Sequence, residues 1–407
     1  MALFKWELIK IVRRKSVKIA LMLAVFYVIF SVIYNAVVNL GFNDETGRPK
    51  ANGISEIARQ YEFAEKYKGD LTEDKLLSAY HDILAAYLEE NLVENEYDGS
   101  LTPSQEAWDK YIVPLGTMQY VLRNVYNLVP EYSYFNSIID VPEEMIEDFY
   151  GVHKKINENF INSKISNEKD RDFFLKQYEK IHKPFQYDWY DGQAIYLEAL
   201  PPIPVIAALV CAIFSAPLYA SEYSGKTDSV IMAAKYGKRK IAAAKLLAAL
   251  TFSAFTYVLC VGLYVVGQLI FVGTRALDCP IQFIKPIASA PFTIGQAEFY
   301  QIVLGFVCCM AITAFTSLIS SYVKSSFPAI IVSLSAIFIP ILLNGSIPEM
   351  FDFITAVIPF MRDYTELFGI NIYFHIWSPY IMIISPIIIF MICMPFAVMG
   401  FERHQAK

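Results

Sequence analysis

Charge is what this sequence is short of. Only 18% of its 407 residues are charged and 55% are hydrophobic, where soluble domains carry about 25% charged residues. That balance excludes an ordinary soluble enzyme and points to a membrane chain with its polar residues set apart. Cysteine is scarce as well. Cys211, Cys260, Cys308, Cys309 and Cys393 fall in apolar stretches, Cys279 lies between two of them, and none occurs from Asn43 to Glu198. A disulfide framework is thereby excluded for that polar region, which is long enough to fold on its own core. His81, His153 and His182 stand apart, with no second His, Cys or paired carboxylate at ligand spacing, so no metal site is expected. No G-x-S-x-G or comparable nucleophile motif occurs. Neither an enzyme nor a nucleic-acid binder is indicated.

A phosphate-binding loop is missing too, although Gly225-Lys226-Thr227 invites one. The loop needs G-x-x-x-x-G-K-[ST], so that successive backbone N–H groups wrap a phosphate between a strand and a helix. Position 220 would have to be glycine and is Ala220. The preceding Pro201–Ser221 is an uncharged, proline-bearing apolar run far too long for a strand. The chain has no ATPase of its own to read from its sequence.

What is present is a set of long uncharged runs. A spanning helix needs about 20 apolar residues, and Ile19–Asn43, Ala199–Ser221, Leu246–Thr274, Phe299–Val323, Ser325–Pro348 and Leu367–Phe401 all qualify, the membrane part of the last being Trp377–Phe401. The predicted fold is an α-helical polytopic membrane protein, six transmembrane helices plus a mostly helical extracytoplasmic domain. Its predicted layout is an interfacial helix at 1–18, spans at 19–42, 199–221, 241–273, 298–323, 325–346 and 376–401, a domain at 43–198, a basic loop at 222–240, further outer segments at 274–297 and 347–375, and a tail at 402–407. The first run is too long for a signal peptide and lacks a small-x-small cleavage site. No Asp, Glu, Lys or Arg stands in the middle of any run, so ion-coupled transport has no visible machinery.

Basic residues set the expected orientation. Lys5, Lys10, Arg13, Arg14, Lys15 and Lys18 precede span 1, and Lys226, Lys235, Lys238, Arg239, Lys240 and Lys245 follow span 2. With six spans these segments share one side, expected to be the cytoplasm of a plasma membrane, with both termini inside. Residues 43–198 then lie outside. They hold 16 Lys and Arg against 30 Asp and Glu, a net charge of −14. Apolar stripes at helical spacing run through this domain. One is Leu76, Tyr80, Ile83, Leu84, Tyr87 and Leu88 behind an N-cap at Thr72; others run from Met118 to Val129, from Met145 to Phe160 behind Pro142, and from Phe174 to Ile181 behind Asn167. The acidity reads either as a solubility feature or as a field for a cationic amphiphilic peptide, with Tyr187, Trp189 and Tyr190 as candidate substrate contacts at the membrane surface.

After span 2 a short helix is expected at about 227–236. Thr227 is its cap, Asp228 sits against its dipole, and Val230, Ile231, Ala233 and Ala234 give it a small apolar surface. Gly237 suits a left-handed helix end. An apolar helix pinned between two spans is a docking element.

At these residues the chain resembles the ABC-2 type permeases (type V exporter-like), as a Gram-positive-type member with a large extracellular insertion. Their coupling-helix region follows the pattern E-x-x-x-G-T. Here Glu222 and Thr227 match, Tyr236-Gly237-Lys238 resembles the restart, and glycine falls one place early at Gly225, with Lys226 where glycine is usual. The leading LFKWELIKIVRRKSVKIAL, with Trp6, Arg13 and Arg14, resembles the family's amphipathic interfacial helix. SIPEMFDFITAVIPFMRDYTELFGI resembles its re-entrant segment. The resemblance implies a permease subunit that binds no cofactor itself. It also implies a separate ABC ATPase subunit carrying ATP and Mg, and a second permease, copy or sibling. Export of a peptide, bacteriocin or hydrophobic drug is the leading expectation; an ATP-driven mechanotransmitter that transports nothing is the alternative. A stand-alone membrane-anchored binding protein would leave the apolar loop helix without a role.

Overall fold

The structure, a computed structural model, describes residues 2–40, 42–43, 49–51, 53–94, 101–124, 138–227, 237–343 and 378–403. The protein is an α-helical polytopic membrane protein. Six described helices are long and apolar enough to cross a membrane: Lys15–Asn39, Asp191–Ser224, Lys238–Phe271, Ile294–Tyr322, Ser326–Leu343 and Tyr380–Arg403, here spans 1 to 6. Span 2 is the hub, with 78% of its apolar window buried, whereas spans 1, 5 and 6 bury about a fifth of theirs. The outward sides of those three carry Phe26, Phe30, Phe327, Leu342 and Met391. Such surfaces suit acyl chains and not water.

Span 2 begins at Asp191, eight residues before the predicted 199. The polar start Asp191-Gly192-Gln193 reads as aqueous in the sequence, but Gly192 and Gln193 are buried. Gln193 donates to the carbonyls of Gly273 (2.9 Å) and Arg275 (3.0 Å) just past span 3. Its oxygen accepts from Gln268 at 2.6 Å, and Gln268 also donates to Glu298 at 3.1 Å. Spans 2, 3 and 4 are thus joined by buried amides at their domain-side ends.

Proline cuts span 2 into Asp191–Ala199, Pro202–Ser215 and Pro217–Ser224. Proline is tolerated in the first turn of a helix, so each piece restarts on one. The second restart leaves backbone N–H groups without intrahelical partners. Ser320 of span 4 fills the gap. Its hydroxyl oxygen accepts from the N–H of Tyr219 (3.0 Å) and Ala220 (3.1 Å), and its proton goes to the carbonyl of Ala216 at 2.7 Å. Deeper in the bundle Gly305 allows spans 2, 3 and 4 to touch. A Cβ there would lie 2.7 Å from the Tyr257 hydroxyl and 2.8 Å from Pro204.

The inserted domain is mostly helical. Thr72 accepts from the Lys75 N–H and Asn167 from the Lys169 N–H, each at a helix start. Leu76, Tyr80, Ile83, Met118, Leu122, Ile146, Phe149 and Ile156 are buried in one core. Leu88 is exposed, because the helix Glu73–Leu84 ends before it and a 3-10 turn follows. The stripe expected from Met145 to Phe160 divides at Asp148 into Glu143–Glu147 and Phe149–Lys164. Short antiparallel pairs close the domain, Gly69–Leu71 with Phe185–Tyr187 and Leu92–Glu94 with Leu101–Pro103.

Candidate functional site

The end of span 2 opposite the domain is built around Lys245. This side chain is only 1% exposed, which for a lysine demands partners. It has two. Its ammonium lies 2.9 Å from Glu7 Oε2 and 2.7 Å from Glu222 Oε1. Glu7 belongs to the leading helix Ala2–Arg13, where it shares the buried side with Ile11 one turn on. Its other oxygen accepts from Lys10 at 2.8 Å. Two carboxylates and two ammonium groups therefore close a neutral set across the leading helix, the tip of span 2 and the start of span 3.

Thr227 completes the set, its hydroxyl donating to Glu222 Oε2. The backbone explains why it can reach. The helix Pro217–Ser224 ends with the Lys226 N–H on the Tyr223 carbonyl (3.2 Å) and the Thr227 N–H on the Glu222 carbonyl (3.0 Å). This is the paired closure of a Schellman motif, whose C′ residue is left-handed and usually glycine. Lys226 occupies that place with φ 54°, while Gly225 is right-handed at φ −81°. The left-handed residue is thus the lysine that stands where the E-x-x-x-G-T pattern has glycine.

Arg14 lies at the bend between the leading helix and span 1 and points the same way. It makes long contacts of 3.4 Å to the Phe214 carbonyl and 3.5 Å to the Pro217 carbonyl, beside the proline break. Tyr219 donates to the Ala242 carbonyl (2.8 Å) and Tyr223 to the Ser321 carbonyl (3.0 Å). The eight-residue tip Pro217–Ser224 is thereby tied to spans 3 and 4 and to the leading helix.

Residues 1–357 match the family described as ABC-2 family transporter protein. The chain belongs to that family. No curated protein and no solved structure matches it. This ABC-2 protein is a membrane permease of an ABC transporter, multi-pass in the plasma membrane, and its family implies association with an ABC ATPase subunit.

Of the docking residues expected in the permease, Glu222, Gly225, Lys226 and Thr227 are brought together as above. Asp228, Val230, Ile231, Ala234 and Tyr236 lie outside the described residues, as does the re-entrant segment at 347–375. Gly237, expected at a left-handed helix end, instead opens the helix Gly237–Phe271. Trp6 and Arg13 are exposed on the leading helix. Tyr187, Trp189 and Tyr190 require correction as substrate contacts, because all three are buried. Tyr190 stacks on Phe283 at 5.0 Å and Trp189 meets Tyr61 edge-on at 4.9 Å. Phe283 in the loop after span 3 covers Tyr187 and Tyr190, and Tyr61 of the inserted domain covers Trp189.

Glu7 and Lys245 were not singled out as a pair by the sequence. Their one local signal is Glu7 itself, the lone acid in a basic amphipathic helix, four residues from the buried Ile11.

Proposed function

We propose that the permease is the membrane half of an ABC exporter for an amphiphile: a peptide, bacteriocin or hydrophobic drug. Its basic side faces the cytoplasm, and a separate ATPase subunit holding ATP and Mg docks on the segment around Ile231. A second permease, copy or sibling, completes the pathway. The observation that carries this reading is the joining of Glu222 to Lys245 and Glu7 immediately before that segment. A displacement of the docking segment is passed at once to the leading helix and span 3. Replacing Ile231 with Asp places an unpaired charge in the docking contact and costs several kcal/mol there. Co-purification with the ATPase subunit in mild detergent should then be lost while the permease still inserts and folds; undiminished association sinks this docking assignment. A cysteine at Ser163 should react with an impermeant thiol reagent on intact cells and one at Ser224 should not, the reverse pattern overturning the orientation.

A second reading rests on the domain side. Arg275, just past span 3, bonds Asp188 through two nitrogens at 2.9 and 2.7 Å and Glu65 at 2.7 Å. Its guanidinium lies 4.3 Å from the centre of the Tyr61 ring. A domain so fastened moves with span 3, as a mechanotransmitter requires. ATP-dependent flux of an amphiphile in reconstituted vesicles decides for export; ATP-driven domain movement without flux decides for transmission.

A further inference from the structure

The domain helix Gly53–Ala64 and the turn after it present two sides with different duties. Tyr61 and Glu65 face span 3, the Tyr61 hydroxyl donating to the Val272 carbonyl and Glu65 meeting Arg275. The intervening Glu62 and Phe63 face away, into an open cleft of about 390 Å³. That volume lies within the range of small-ligand sites, which are mostly apolar with a few placed polar groups. Phe63, Tyr111, Pro114 and Leu115 supply the apolar lining.

The charges at the rim are not equivalent. Lys66 is paired with Asp82, which also accepts from Tyr67. Lys110 is held over the Tyr111 ring at 4.6 Å. Glu62 is exposed, and no side-chain partner for it occurs among the described residues. The surrounding domain carries a net charge of −14 over residues 43–198, a field that gathers cations. The cations at this cleft already lie on Asp82 or on rings, Arg59 standing 5.7 Å from the centre of the Phe63 ring, so among the described residues the charge left for a ligand is the Glu62 carboxylate.

We propose that this cleft binds an amphiphilic cation, the apolar part seated on Phe63, Tyr111 and Leu115 and the ammonium or guanidinium group on Glu62. Occupancy is felt by span 3, because the residues on either side of Glu62 and Phe63 hold Val272 and Arg275. The inference deepens the export reading by naming the cargo or sensed ligand, and it relocates the contact from the buried rings at 187–190 to the exposed cleft.

The test uses the full-length permease in neutral nanodiscs, without any ATPase subunit, and a fluorescent amphiphilic peptide of Lys and Leu. Wild type should bind it, with affinity falling as salt rises. Glu62→Lys should weaken binding at least tenfold, Glu62→Gln less, and Phe63→Ala with Tyr111→Ala by a similar factor, with unchanged circular dichroism and melting. Glu168→Lys makes the same charge change at an exposed site on another helix and should alter binding less than twofold. Wild-type affinity in Glu62→Lys, an equal loss in Glu168→Lys, or equal binding of a Glu and Leu peptide overturns the site. Because the assay needs no ATP, failure of the export reading would appear separately, as absent flux with peptide binding intact.

Discussion

On both sides of the spans a single cation holds two carboxylates: Lys245 with Glu7 and Glu222, and Arg275 with Asp188 and Glu65. The chemistry is alike and the surroundings are not. Lys245 is 1% exposed and its acids come from two other helices. The Arg275 side chain is 30% exposed and Glu65 is 55% exposed. Asp188 keeps Lys68 at 3.7 Å and the Trp189 N–H at 2.8 Å whatever Arg275 does. The lesson is that count and distance do not rank ion pairs. What ranks them is whether water or a second partner replaces the one removed.

The comparison breaks most visibly at Lys245. Lys245→Ala leaves Glu7 with the exposed Lys10 alone and Glu222 with the Thr227 hydroxyl alone, both carboxylates being largely buried, and should cost about 3 kcal/mol, whereas Arg275→Ala should cost about 1 kcal/mol. Denaturant unfolding of the purified permease, followed by helical circular dichroism, measures both; equal losses would refute the contrast. Lys245→Met combined with Glu7→Gln and Glu222→Gln should recover most of the loss, since a neutral set needs no counter-charge.

A smaller effect separates the domain side by titration. His153 is enclosed between Phe149, Tyr178 and Phe185, and burial pushes its pKa down from 6.5 to about 3. The folded domain keeps it neutral, while the unfolded chain takes up a proton below pH 6.5. Its contribution is therefore fully present above pH 6.5 and is lost as pH falls toward 3. About 2 kcal/mol should disappear between pH 6.5 and 5, at about 1.4 kcal/mol per unit. Emission of the buried Trp189 during denaturant unfolding reads the domain. A slope as steep in His153→Phe would assign the effect elsewhere.

The smallest effect is a gain. A lysine in the left-handed region costs about 1–2 kcal/mol, and glycine gives back about 0.5–1 kcal/mol of that in chain entropy. Lys226→Gly should therefore stabilise the permease by about 0.5–1 kcal/mol, seen as a small rise in melting temperature. A fall would show that the Lys226 side chain contributes more than its backbone costs.

Six spans were legible because long uncharged runs have few other uses, and the cap at Thr72 and the helix start at Asn167 were legible because each rests on its own short stretch. The start of span 2 was not. Asp191 and Gln193 look solvated until the carbonyls of Gly273 and Arg275, some 80 residues on, are placed against Gln193. The partnership of Glu7 with Lys245 spans 238 positions and leaves no local trace beyond a lone acid. The aromatic run at 187–190 misled for the same reason, since nothing beside it in sequence announces that Phe283 and Tyr61 will cover it. Lys226 was the opposite case. Its departure from the family pattern marked the position whose backbone turns left-handed.

Ser320 has a mechanical consequence. A helix broken inside a bilayer ordinarily resists bending, because each freed N–H needs a partner that hydrocarbon does not offer. At Ala216–Pro217 the hydroxyl of Ser320 already stands in for those partners, on both sides of the break. A bend of the span 2 tip at this break would turn about a pivot that belongs to span 4 and would leave no amide bare. The same pivot forbids independent travel. Any stroke that carries Glu222 away from the bundle axis must draw span 4 with it or tear three hydrogen bonds at once, so the two helices are geared together.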